Sequence, residues 1–258
     1  GFYNGGEVYG GDGAYTAYDD QDKYLIASYV YNFHYLFNDQ GRYALISNST
    51  QQNTGQFINP LVVDRNLDIA YTNANANNTT TVKLNRVDGL AKLPFAPVRT
   101  QLTIATVTAG ENISRLFVSP YTTTSTTLYI GLTSGKLYKV TNTDTVPVPS
   151  LLSYNFGGNI SDIKLGASES EMMVTVSNFN KTSVFYSTDA GLTWNSKEGN
   201  LPDIPVKAIF MNPEDNNEVI LGTYYGVWGT ADFQATNPTW ALYSNGLGKF
   251  KVNHFDYR

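Results

Sequence analysis

Three observations predict an all-β fold, a β-propeller of four-stranded antiparallel blades. A strand–turn–strand unit returns along the whole chain. Gly, Asp, Asn and Pro recur too often to leave the runs of about 10–12 residues that helices need. The composition also favours strands: 258 residues hold 19 Tyr and 13 Phe beside 22 Gly, and aromatic rings suit pleated, half-buried surfaces. Hydrophobic residues make up 41% and charged residues 15%, which is enough apolar material for a core and too little charge for a disordered chain.

The first unit reads 14–18, the turn Asp19-Asp20-Gln21-Asp22, then Tyr24-Leu25-Ile26-Ala27-Ser28. It returns as Leu61-Val62-Val63, Asp64-Arg65-Asn66 and Ile69-Ala70-Tyr71-Thr72. Leu116-Phe117-Val118 precedes Leu128-Tyr129-Ile130-Gly131, and Ile163-Lys164-Leu165 precedes Met172-Met173-Val174-Thr175-Val176. The last copy runs from Ala208-Ile209-Phe210-Met211 through a turn to Val219-Ile220-Leu221-Gly222. The apolar second strands begin at 24, 69, 128, 172 and 219, spacings of 45, 59, 44 and 47. The wide interval holds 91–110, read as an insertion or a long outer strand. A third strand, a turn and a fourth strand follow each second strand. Four short strands about every 45 residues are the signature of a propeller blade. The blades span approximately 10–50, 56–107, 113–152, 160–200 and 204–245 of a single domain.

A segment from Leu247 to Phe255 repeats the pattern of 201–209, 46 residues on, so 250–258 reads as the first strand of a further blade. A lone inner strand leaves an edge to be paired. The expectation is five complete blades plus the start of another, part of a larger propeller and a longer chain. The alternative is a ring whose last blade is completed by N-terminal residues.

Composition excludes several chemistries. Zero Cys removes thiolate catalysis and cysteine zinc sites, and two histidines, His34 and His254, make no His-rich centre. No cofactor is expected; a metal, if bound, would be held by oxygens, as calcium is. Net charge is −5, with 17 Lys plus Arg and no basic run, so nucleic-acid binding lacks its electrostatic footprint. Apolar stretches are strand-sized, so no membrane span is expected.

One stretch carries a named motif. Ser187-Thr188-Asp189-Ala190-Gly191-Leu192-Thr193-Trp194 fits Ser-x-Asp-x-Gly-x-Thr-Trp at every specified position. Asp189 can accept backbone N–H bonds in a tight turn, Gly191 can take a positive φ, and Trp194 can bury a large ring between sheets. Ser187 and Thr193 can tie the two strands. Asp39 and Gly41 read as the remnant of a degenerate copy. The motif resembles the Asp-box, or bacterial neuraminidase repeat, of β-propellers. That group includes sialidases, xyloglucanase-type glycosidases, sortilin-type ectodomains and many secreted bacterial proteins. The resemblance implies a structural hairpin between third and fourth strands, away from the ligand face, in a secreted or cell-surface protein.

Propeller ligands bind on the face built by loops between second and third strands and between blades. Asp12, Tyr29, Tyr31, Asn32, Phe179, Asn180, Tyr224 and Tyr225 are the candidate ligand-face residues, aromatic rings for stacking on sugars and amides for hydroxyls. Glycosidic hydrolysis usually needs two facing carboxylates, and Asp12 has no sequence partner; Glu198 and Asp203, between two blades, are the nearest alternatives. Asp19, Asp20, Asp22, Asp64, Glu214 and Asp215 read as solvated turn residues on the opposite face. Sialidases of that group bind the substrate carboxylate with three arginines and carry an Arg-Ile-Pro motif; this chain has six arginines, of which Arg42 and Arg65 fall at turns on the opposite face, and no Arg-Ile-Pro. His34 and His254 read as packed side chains rather than bases. The functional expectation is a non-catalytic module binding a glycan or surface protein, with no assigned catalytic residue. The alternative is a xyloglucanase-type hydrolase in which this chain is one propeller of a pair.

Overall fold

The computed structural model describes residues 15–46, 55–75, 79–92, 96–243, 246 and 250–255. Among them there is no helix. The strands form five four-stranded antiparallel sheets, each made of four consecutive strands in sequence order. The first sheet is β1 (Thr16–Tyr18), β2 (Tyr24–Ser28), β3 (His34–Asn38) and β4 (Tyr43–Leu45). The second is β5 (Leu61–Asp64), β6 (Ile69–Asn73), β7 (Thr81–Asp88) and β8 (Val98–Thr106). The third is β9 (Ile113–Val118), β10 (Leu128–Leu132), β11 (Leu137–Thr141) and β12 (Val148–Leu151). The fourth is β13 (Ile160–Leu165), β14 (Met172–Val176), β15 (Val184–Ser187) and β16 (Asn195–Ser196). The fifth is β17 (Val206–Asn212), β18 (Asp215–Thr223), β19 (Gly226–Thr230) and β20 (Ala241–Leu242). This is the blade organisation of an all-β propeller.

The expected second strands occupy the second position of every sheet. β6, β10 and β14 are buried at every residue, whereas β12, β16 and β20 are exposed throughout. A strand covered on both faces reads as a continuous apolar run, and that is the sequence signal of these second strands. The wide interval resolves into a long outer strand: β8 has nine residues and pairs along the whole of β7.

By its contacts the chain divides into two compact units, 1–128 with 140–149, and 129–139 with 150–258. In the first, Tyr24, Ile26, Leu36, Leu61, Val87 and Leu90 form one core cluster. In the second, Met173, Val184, Val206, Leu221, Phe233 and Trp240 belong to another.

Two turn aspartates depart from the solvated role expected of them. Asp64 is fully buried; its carboxylate accepts from the Asn66 and Leu67 amides at 3.0 and 3.2 Å and from the Thr126 hydroxyl at 2.6 Å. Asp19 is 5% exposed and accepts from the Lys23 amide at 3.0 Å. Tight turns leave amides without ladder partners, and a short carboxylate can satisfy them while covered. Asp20, Asp22, Glu214 and Asp215 are exposed.

The first strand expected at 250–258 is not formed within 250–255, and 256–258 lie outside the described residues. The segment instead docks on the β18–β19 turn. Phe250 O accepts from Gly226 N at 2.8 Å, and Val252 N donates to Thr223 O at 3.0 Å. Val252 packs where Gly222 lacks a side chain; a Cβ there would lie 2.9 Å from Val252 Cγ1.

Two stability predictions follow from the buried polar groups. Asp64→Ala removes an acceptor from two amides and a hydroxyl, and should cost on the order of 2–4 kcal/mol, read as a lower urea midpoint at unchanged slope. His34 is fully buried in β3, and desolvation lowers its pKa to about 4. The unfolded chain therefore binds the proton more readily, so stability is full above about pH 6.5 and is lost progressively as pH falls toward 4. The loss in unfolding free energy between pH 7 and pH 5 should be larger for the native protein than for His34→Gln; equal losses would refute this origin.

Candidate functional site

In the second unit, the β14–β15 and β18–β19 turns bring together four of the expected ligand-face residues. Phe179 and Asn180 lie on the first turn, Tyr224 and Tyr225 on the second. The three rings are 49%, 44% and 46% exposed. Phe179 meets Tyr224 edge-on at 6.4 Å between centroids, and Tyr224 meets Tyr225 at 5.3 Å. Edge-to-face contact holds the rings in fixed orientation. Lys251 Nζ lies 5.8 Å from the centre of the Tyr224 ring.

Beside this shelf is a cleft of about 410 Å³ lined by Asn180, Lys181, Thr182, Glu198, Leu201 and Asp203. Asn180 adopts φ 57°, a left-handed conformation that Asn tolerates better than most residues. Its amide donates to Asp203 Oδ1 at 2.6 Å. Glu198 Oε2 accepts from the Ser183 and Val184 amides at 2.7 and 3.3 Å. Burial raises the Glu198 pKa and the neighbouring Asp203 charge adds to the rise, while the two amides act against it. The cleft thus joins the two acids considered only as alternatives to Asp12. Asp12 itself lies outside the described residues.

The first unit treats its candidates differently. Asn32 is 3% exposed, and its Oδ1 accepts from Asn59 Nδ2 at 2.5 Å. Asn59 in turn exchanges bonds with Asn73. Asn32 is therefore a member of a buried amide network and not an exposed ligand contact; only tertiary packing brings these three amides together. Tyr29 and Tyr31 are half-buried, Tyr29 against Phe33 at 6.4 Å and Tyr31 against Phe57 at 5.7 Å.

The Ser187–Trp194 hairpin is a closed hydrogen-bond unit. Asp189 accepts from the Ser187 hydroxyl at 2.8 Å, the Thr193 amide at 2.9 Å and the Thr193 hydroxyl at 2.6 Å. Thr193's hydroxyl and amide, with Ser187's hydroxyl, hold its pKa down to about 2. Gly191 takes φ 84° and donates to Ser187 Oγ at 2.9 Å. Trp194 Nε1 donates to Gly191 O at 3.0 Å. The ring is half-buried rather than enclosed: it packs edge-on against Phe156 at 4.8 Å, but β16 beyond it is two exposed residues at the sheet edge. In the first sheet the acceptor is Asn38, not Asp39. Asn38 Oδ1 takes the Gln40 and Arg42 amides, Asp39 is exposed, and Gly41 has φ 75°.

A second hairpin of this kind escapes the motif pattern. In the fifth sheet, Asp232 accepts from the Thr230 hydroxyl at 2.5 Å and the Thr239 amide at 2.8 Å, and Trp240 follows. Six residues separate Asp232 from Thr239, against three between Asp189 and Thr193. The Thr-x-Asp start and Thr-Trp end were the available signal; the insertion hid them. Trp240 is 2% exposed, and its Nε1 donates to Lys197 O at 2.9 Å. Trp240→Ala should therefore cost about 3–5 kcal/mol and Trp194→Ala distinctly less; thermal melts giving the reverse order would contradict this assignment of burial.

Among the described residues, no group of three or more His, Asp or Glu side chains is arranged to hold a metal ion, and no helix is long and apolar enough to cross a membrane. No family model matches the chain, and no curated protein matches it. Among solved structures it is similar to the GH74 xyloglucanase of Xanthomonas campestris, with a TM-score of 0.66 at 14% identity. The match covers 90% of this chain and 38% of that one. The likeness establishes that this chain shares the propeller fold of a glycosidase and spans well under half of that enzyme's length.

Proposed function

We propose that this chain is a glycan-binding β-propeller module of the Asp-box kind, secreted or displayed at a cell surface. The observation that carries the reading is the shelf of Phe179, Tyr224 and Tyr225, three contiguous rings each nearly half exposed. Clustered exposed rings mark interaction surfaces, and flat apolar faces beside amide and carboxylate groups suit a pyranose, which presents C–H faces and hydroxyl edges. The Ser187–Trp194 and Thr230–Trp240 hairpins support the Asp-box assignment, since their carboxylates are consumed in holding turns. The similarity to a xyloglucanase supports a polysaccharide ligand over a protein one.

Glu198 and Asp203 favour a second reading, a glycoside hydrolase, because a raised carboxyl pKa beside another acid is what general-acid catalysis uses. Against it, both side chains are engaged by backbone amides of the 180–184 segment, Asp203 by Asn180 and Glu198 by Ser183 and Val184. Affinity electrophoresis in gels containing xyloglucan, cellulose derivatives or pectin tests binding: the native protein should be retarded in at least one. Phe179→Ala or Tyr224→Ala should weaken retardation roughly tenfold, the equivalent of about 1.4 kcal/mol. No retardation in any gel removes the reading. Reducing-sugar release abolished by Glu198→Gln would replace it with the hydrolase.

A further inference from the structure

We infer that the glycan bound at the aromatic shelf is anionic, its acid group received by Lys207 and Lys251. This rests on the glycan-binding reading and specifies its ligand class. Lys207 is the extra residue of a β-bulge in β17: Val206 pairs with Thr223 and Ala208 with Gly222, leaving Lys207 without an opposite partner. Bulges re-aim a side chain and are enriched beside functional sites. The fourth sheet has the same bulge at Ser161, between Ile160 and Asp162. There the short hydroxyl is used up locally, bonding Thr175 Oγ1 at 2.9 Å and Val206 O at 2.6 Å. In the fifth sheet a lysine stands in that position, with three donors and no acceptor.

Lys207 is half-buried. The Val252 amide donates to Thr223 O at 3.0 Å, and Thr223 pairs with Val206, so the 250–255 segment carries Lys251, rather than an acid, to the neighbourhood of Lys207. Among the described residues neither lysine has a carboxylate at ion-pair distance. Burial and the Lys251 charge both push the Lys207 pKa down. Placing a second positive charge beside a partly desolvated one is unfavourable unless an anion joins them. The pair flanks the shelf: Lys207 neighbours the Val206–Thr223 pairing that leads into Tyr224, and Lys251 lies over the Tyr224 ring. A pyranose stacked on these rings would carry a uronate carboxylate or a sulfate ester toward the two ammonium groups. In a chain of net charge −5, such a local excess of positive charge selects acidic over neutral sugars.

Titration calorimetry with a galacturonate oligomer, a sulfated galactan oligomer and a neutral xyloglucan oligomer tests this. At low salt, one or both acidic oligomers should bind at least roughly tenfold more tightly than the neutral one. The advantage should shrink at ~0.5 M NaCl. Which acidic oligomer binds identifies carboxylate or sulfate as the recognised group. Lys251→Met, on an exposed position, should bring the ratio of acidic to neutral affinity close to one; Lys207→Met should do the same. Neutral binding as tight as acidic, or acidic binding indifferent to Lys251→Met, overturns the inference. If neutral binding is then lost in Tyr224→Ala, the glycan reading survives alone; no binding in any arm removes both.

Discussion

Three sheets of this protein cover the second strand along its whole length, and much of the architecture answers to that constraint. β6, β10 and β14 are buried from end to end. Their neighbours therefore carry the transition to solvent, and the fourth strands β12, β16 and β20 are short and exposed. Some of the turns beside these strands are covered as well, with Asp19 and Asp64 among their buried residues. The polar side chains of those turns then become structural. Asp64, Asp19 and Asn38 each accept backbone amides that the ladder leaves over, which is cheaper than leaving those amides unpaired.

The same solution recurs with different residues. Asp189 and Asp232 close the third-to-fourth strand turns of neighbouring sheets with matching bonds to a hydroxyl two residues before and an amide beyond. Asn38 does it with an amide oxygen. What the turn requires is a short acceptor at its start; a carboxylate is one of several that serve. The chemistry of these aspartates is spent on the turn, and their depressed pKa values mark structural rather than catalytic groups.

The turns at the other end of the sheets, between second and third strands, present different groups. The Phe179–Tyr224–Tyr225 shelf, the cleft between Asn180 and Asp203, and the Lys207–Lys251 pair all belong there. The fourth and fifth sheets share one plan in their first strands, including the bulge. The difference between Ser161 and Lys207 at that bulge shows how a repeated scaffold acquires a local charge without altering its ladders.

The sequence by itself determined the class of fold, the strand positions and the polar hairpin of 187–194, because alternation, spacing and turn chemistry are local properties of the chain. It also named Phe179, Tyr224 and Tyr225, since each lies next to a turn at the end of an apolar strand. Tertiary structure decided what the local pattern could not carry. Asn32 and Asp64 are buried by groups 27 and 62 residues away, so no reading of their neighbours could distinguish them from solvated turn residues. The hairpin of Thr230 to Trp240 has its residues in order but at a different spacing, and hydrogen-bond geometry recognises it where a fixed pattern does not. Glu198 and Asp203 share one cleft, and the charge of Lys251 reaches Lys207, through the path of connecting segments. Charge and burial at a site depend on distance in space, and separation along the chain does not specify that distance.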